Sequence, residues 1–226
     1  MQKKMTSPLP ILLSHLLNSD TPSYGNRDRL TIEQPSKISE GSSANSSKWL
    51  FSTNHLGTHI DMPNHFFEDG LTISDYPAHF WFCNNVQLID IPVTEAELIM
   101  KNKLEGKINS KTNLLLIRTG YENYRGSDKY WNDNPGISDE VGFWIREKFP
   151  NIKMIGFDFL SLTSWKFRDE GKMAHSAFLN PEGKGNPICI IEDMSMLHLV
   201  EPIQQVIIAP LMVEKTNGSP VTVFAL

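Results

Sequence analysis

The eleven residues from His55 to His65, reading His-Leu-Gly-Thr-His-Ile-Asp-Met-Pro-Asn-His, constrain the fold more than any other part of the chain. Polar candidates stand at odd positions only (His55, His59, Asp61, His65), and Leu56, Ile60 and Met62 stand at even ones. An extended backbone sends the two sets to opposite faces, so the segment must pack on one side and carry chemistry on the other. Pro63 removes a backbone donor and Gly57 weakens any helix, which leaves a strand or extended loop as the reading.

Chain geometry then asks for a bend. Ligand atoms around one metal lie roughly 3 to 3.5 Å apart when metal-to-nitrogen bonds are about 2.1 Å. His59 and Asp61, about 6.6 Å apart along a strand, converge by leaning together, but His55 and His59 stand about 13 Å apart if the strand is straight. The expectation is a bend at Leu56-Gly57, where glycine permits it. Imidazole with carboxylate suits zinc, manganese or iron, and the two oxygens of Asp61 allow it to bridge two ions. His65, beyond Pro63, is best placed to stay unligated and move protons.

A chain of 226 residues with 40% hydrophobic content can bury one substantial core, so residues 1–226 are read as one domain. The formal net charge of −5, with signs interspersed, offers no basic stripe for a phosphate backbone, and nucleic acid is not expected as a partner. Cys83 and Cys189 lack metal-ligand spacing and are expected to be reduced and buried. Lys3 and Lys4 precede an apolar run from Pro8 to Leu17, but Pro10, Ser14 and His15 interrupt it; a first strand in a cytoplasmic protein is expected. No segment approaches the ~20 apolar residues of a membrane span.

Taken in order, residues 18–48 read as a long surface loop, within which the turn Thr21-Pro-Ser-Tyr24-Gly25 offers an aromatic ring as surface or pocket wall. Val86 to Ile91 and Leu114 to Ile117 read as buried strands, with a helix between them capped by Thr94 and Glu97 and stopped by Gly106. Residues 121–136 read as an aromatic loop, whose residues from Tyr121 to Trp131 are expected to form a flat pocket with Tyr24. Ser138 caps a helix to about Phe149, and Lys153 to Phe157 is a strand ending at Asp158. Residues 160–186 read as irregular and include His175, and Pro187 to Ile191 is a strand delivering Glu192. A short helix around Ser195 to Val200 and strands at Val206 to Ala209 and Val221 to Phe224 complete an α/β chain with a mixed sheet and flanking helices. Asp158 is a candidate to fix a ligand imidazole, and Arg118 to pair with it or hold a substrate anion. His15, His79 and His198 have no ligand-type neighbours and are read as structural.

These residues resemble the metal-dependent cyclase family, which includes bacterial kynurenine formamidase and isatin hydrolase. The likeness runs from His55-Leu-Gly-Thr-His59-Ile-Asp61-Met-Pro-Asn-His65-Phe66 through Asp69-Gly70-Leu-Thr-Ile and Leu116-Ile-Arg118-Thr-Gly120. It continues through Gly156-Phe-Asp158-Phe-Leu-Ser161, Ala174-His175, Ile191-Glu192-Asp-Met194 and Gly218-Ser-Pro220-Val. The resemblance implies a swivelling β/β/α fold and one or two divalent ions, Zn²⁺ or Mn²⁺. It implies His55, His59 and Asp61 around a first ion, Asp61, His175 and Glu192 around a second, and His65 as general acid and base. The loop from Asn180 to Pro187 is longer than the family pattern.

The expected reaction is hydrolysis of a small amide or cyclic amide, arylformamidase-like, by a homodimer or homotetramer. A lactonase, cyclase or dehydratase of the same family and a non-catalytic metal-dependent binding protein are the alternatives. An iron oxygenase using His59, Asp61 and His175 expects a jelly roll, against which the capped helices argue.

Overall fold

A computed structural model describes residues 9–200 and 202–226, so the start of the apolar run at Pro8, with Lys3 and Lys4, lies outside the described residues. In chain order the strands are β1 (Ile11–Leu12), β2 (Leu30–Ser36), β3 (Ser46–Phe51), β4 (His59–Asp61), β5 (Phe82–Cys83), β6 (Val86–Asp90) and β7 (Leu98–Ile99). They continue as β8 (Leu114–Arg118), β9 (Gly136–Ile137), β10 (Met154–Phe157), β11 (Cys189–Glu192), β12 (Val206–Pro210) and β13 (Gly218–Ala225). The helices are α1 (Asp128–Asn132), α2 (Asp139–Lys148) and α3 (Arg168–Leu179).

One nine-stranded mixed sheet organises the molecule in the order β5-β12-β13-β4-β11-β10-β8-β6, with β1 added to β13. The run β6-β8-β10-β11 is parallel, and β4, β13 and β12 follow antiparallel. Parallel strands are covered on both faces and read as continuous apolar runs, which is why Leu114 to Ile117 is buried without alternation. Alternate residues feed two cores. Leu115, Ile117, Ile155, Phe157 and Ile190 pack with Val141 and Ile145 of α2 and Ala174 and Phe178 of α3. Leu114, Leu116, Met154 and Ile191 face the other way and join Ile60, Met62, Val206, Ile208 and Val223 where the sheet curls upon itself.

Helix α2 starts as expected, with the Ser138 hydroxyl accepting from the Glu140 amide. Other segments depart from expectation. The Thr94 helix is absent: Leu98–Ile99 pairs in parallel with β9, and the Gly136 and Ser138 amides donate to the carbonyls of Glu97 and Ile99. Non-local pairing has taken the backbone groups that a helix would have used, so β6 and β8 are parallel neighbours without an α-helical crossover. Residues 18–48 are not all loop: β2 and the start of β3 lie within them, and the β2–β3 hairpin breaks register between Glu33 and Ser36 around Pro35, a residue that cannot continue the ladder.

His175 lies on α3, not in irregular chain. That helix has no side-chain N-cap and carries Gly171 inside it, so local signals are weak and packing against α2 decides it. Residues 195–200 form a turn, not a helix, with the Glu122 carboxylate accepting from the Ser195 hydroxyl and the Met196 and Leu197 amides. Cys83 and Cys189 are free and buried. Among the described residues no helix is long and apolar enough to cross a membrane.

Candidate metal centre and active site

Strand β4 lies between β11 and β13, and its register positions the site. Glu192 on β11 is the cross-strand partner of His59, so a carboxylate delivered at the end of a parallel strand stands beside an imidazole from an antiparallel neighbour. Ile60, Met62 and Leu56 are 0%, 0% and 1% exposed, as the alternation of the segment requires. Gly57 makes the bend at φ +65°, and its carbonyl meets His59 Nδ1 at 2.9 Å. The bend therefore also fixes the ring: Nδ1 donates and Nε2 faces the pocket. His175 is held in the same way, Nδ1 lying 2.9 Å from the carbonyl of Gly171 one helical turn earlier.

The two Nε2 atoms face two carboxylates. His59 Nε2 is 3.4 Å from Asp61 Oδ1 and 3.4 Å from Glu192 Oε2, while His175 Nε2 is 3.5 Å from Asp61 Oδ2 and 3.7 Å from Glu192 Oε1. These separations are long for hydrogen bonds and match the roughly 3.4 Å edge of a tetrahedron with bonds of about 2.1 Å. His59, Asp61 and Glu192 bring one ligand atom each close enough to hold a divalent cation, as do His55, Asp61 and His65, and His175 Nε2 faces the other oxygens of Asp61 and Glu192. The Leu162 amide at 2.6 Å and the Ser161 hydroxyl at 3.2 Å hold Glu192 Oε1, which leaves Oε2 the freer oxygen.

His55 stands on the far side of Asp61, with Nδ1 2.7 Å from Oδ1. Its Nε2 lies 3.1 Å from Asn217 Oδ1, an oxygen that already accepts from Asn54 Nδ2. His55 thus spans Asp61 on one ring nitrogen and Asn217 on the other. His65 stacks on His55 with ring centroids 4.0 Å apart, and its buried Nδ1 has no hydrogen-bond partner. All five expected ligands and His65 line one cavity of about 290 Å³, together with Tyr24, Phe66, Ser161 and Thr163. His59 sits between Asp61 and Glu192, so it adjoins both expected ligand groups, whereas His55 pairs spatially with His65.

The electrostatics follow from this crowding. Burial alone would raise Asp61, but the surrounding imidazoles hold it well below the ordinary carboxylate range. Burial would lower His59 and His175, yet the facing carboxylates outweigh it and raise them to about 9 and about 10. His65 has the opposite balance: burial dominates, His55 and His175 add repulsion against the pull of Asp61, and it falls to about 4. It is neutral at pH 7.

Two candidates lie elsewhere. Asp158 touches no imidazole; its carboxylate accepts from the Thr119 amide and hydroxyl and the Gly120 amide, organising the end of β8. Arg118 forms a bidentate pair with Asp90 and donates to the carbonyls of Met196 and Leu199. Tyr121 and Tyr130 are fully buried in the helix-side core and form no pocket wall. His15, His79 and His198 do not line the cavity. Asn217, Ser161 and Phe66 were not assigned roles from sequence. Ser161 and Phe66 fall inside family-like motifs, but Asn217 offers only a turn signal.

The Cyclase family profile matches residues 11–164, and the chain belongs to that family. It is 36% identical over 110 residues to an uncharacterised protein of Haemophilus influenzae, covering 47% of this chain and 78% of the other. Against kynurenine formamidase of Bacillus mycoides the identity is 27% over 209 residues, 92% of this chain and 93% of that one. Among solved structures, isatin hydrolase A from Labrenzia aggregata superposes with a TM-score of 0.80 at 21% identity, over 96% of this chain and 93% of that chain. The mixed, nearly closed sheet is the fold of that structure.

Proposed function

We propose that this chain, acting as one domain over residues 1–226, is a metal-dependent hydrolase of small amides or cyclic amides, similar to arylformamidases. The carrying observation is the ring of His59, Asp61, His175 and Glu192 with the unpartnered Nδ1 of His65 beside it. Similarity to kynurenine formamidases along 92% of the chain supports the reaction class.

His59, Asp61, His175 and Glu192 would hold one divalent ion, Zn²⁺ or Mn²⁺, and His55 with Asp61 is placed to hold a second. When bound, the ion lowers the pKa of water towards ~7 and polarises a substrate carbonyl. The protein does the rest. Gly57 and Gly171 carbonyls hold the Nδ1 protons, so the nitrogen that each ring can offer an ion, once its own proton leaves, is Nε2 on the cavity side. His65, neutral at pH 7 with Nδ1 free of hydrogen bonds, is placed to take a proton from the attacking water and return it to the leaving nitrogen. The burial of Asp61 and Glu192 excludes bulk water from the carboxylates, which strengthens each interaction inside.

The substrate is a small molecule rather than nucleic acid, and the protein is proposed to act in the cytoplasm as a homodimer or homotetramer. Exposed Leu16, Ile32, Trp49 and Leu211 around an apolar groove of about 450 Å³ support a second copy. The test is metal analysis of the purified protein with a screen of N-formyl aromatic amines, lactams and lactones. His65→Ala is expected to retain metal and lose hydrolysis. Less than one ion per chain, or hydrolysis untouched by the substitution, overturns the reading.

A further inference from the structure

The histidine cavity adjoins a second cavity, also of about 290 Å³, lined by Tyr24, Arg27, Thr163, Trp165, Arg168 and Lys172. Tyr24 and Thr163 line both. Trp165 organises this vestibule. The guanidinium carbon of Arg168 lies 3.7 Å from its ring centroid and that of Arg27 5.3 Å away. Tyr24 meets the indole edge-on at 5.0 Å. The turn at Gly25 closes against the same ring, since a Cβ there would stand 2.5 Å from Trp165 Cζ3.

Charge is unbalanced here. Lys172 pairs with Asp169 at 3.5 Å, but among the described residues neither Arg27 nor Arg168 has a carboxylate partner. A guanidinium resting on an indole loses apolar surface to the ring and keeps its N–H edge free for a planar bidentate acceptor. The Tyr24 hydroxyl feels the charge of Arg168 yet is buried without a hydrogen bond of good geometry. Two guanidiniums without carboxylate partners, with the Tyr24 hydroxyl turned towards Arg168, next to a cavity with the hydrolytic residues, match a single carboxylate. Arg118, the arginine that the sequence offered for this task, is occupied by Asp90.

We propose that Arg27 and Arg168, with Tyr24 between the two cavities, select substrates whose amide enters the histidine cavity while a carboxylate at the far end sits in the vestibule. The proposal rests on the amide-hydrolase reading and adds its specificity residues.

The test uses the metal-loaded protein and a matched pair, formanilide and a formanilide carrying a propanoate tail. The acidic member is expected to have a kcat/KM about tenfold higher at low salt, carried by KM, as expected for charge-assisted contacts. That ratio should fall to near one in Arg27→Ala/Arg168→Ala, and also in the unmodified protein near 1 M salt, where the screening length is about 3 Å. A ratio near one in the unmodified protein, or one that persists in the double variant and at high salt, overturns the proposal. Titrating the acidic amine product against tryptophan fluorescence requires no turnover. A saturable change that Trp165→Phe lacks and the double variant loses supports the subsite even if neither amide is cleaved, in which case only the hydrolase reading fails. Turnover of both amides with no such change overturns the subsite alone.

Discussion

Phe66 lies face to face on His175, with ring centroids 4.6 Å apart and planes within 5° of parallel. The contact joins the short 3₁₀ turn after β4 to helix α3, two elements that carry opposite sides of the candidate metal centre. One ring face of His175 is thus set by packing, while Gly171 sets its edge.

Phe66→Ala should therefore loosen a ligand without removing it. Outer contacts of metal ligands are typically worth 10- to 100-fold in affinity, and a loss at the lower end is expected because Phe66 is 37% exposed. Competition with a chromogenic chelator measures it, and an unchanged dissociation constant would show that the backbone carbonyl alone holds the ring.

Gly218 is the cross-strand partner of Asp61, and a Cβ there would stand 2.6 Å from His55 Cε1 and 2.7 Å from the Ile60 carbonyl. Gly218→Ala is expected to displace His55 and strain the β4–β13 pairing, at a cost of about 1–3 kcal/mol. Gly106→Ala is the comparison. It has a positive φ but nothing within 4 Å, so only about 1 kcal/mol of backbone strain is expected. Urea unfolding of both separates crowding from conformation.

Metal binding should release protons. In the metal-free protein His59 and His175, raised to about 9 and about 10, are charged at pH 7.5, and the ion requires both neutral. Because the folded pKa values lie above the ordinary 6.5, the stability from these imidazolium–carboxylate contacts is fully present below that value and is lost as pH rises through 9 to 10. Calorimetric titration of Zn²⁺ at pH 7.5 in buffers of different ionisation heat should report about two protons released per ion. Heats independent of buffer would contradict the arrangement.

Arg146, 3% exposed, donates to the carbonyls of Ala177, Asn180 and Gly185 and so pins the extended loop that links α3 to β11. Arg146→Ala leaves those carbonyls without their charged donor and should destabilise the fold by about 2–4 kcal/mol. Because that loop connects His175 to Glu192, metal affinity should fall alongside the denaturant midpoint, a correlation that parallel chelator and urea titrations would reveal.

Sequence alone determined the features that depend on neighbours in the chain. The side-chain period of two assigned Leu56, Ile60 and Met62 to the core and His59 and Asp61 to the other face, and only Gly57 could supply the bend at positive φ. Uninterrupted apolar runs marked β8, β10 and β11, and Ser138 marked the start of α2. Helix α3 was hidden because Phe167 and Gly171 are poor helix signals, and the Thr94 helix was suggested because a capping pattern cannot foresee strand pairing with β9. Tertiary structure decided what stands across a strand or a cavity. Glu192 opposite His59, Asn217 against the ring of His55, and Arg27 beside Arg168 are separated by 133, 162 and 141 residues, and only the sheet order and the packing of α3 bring them together.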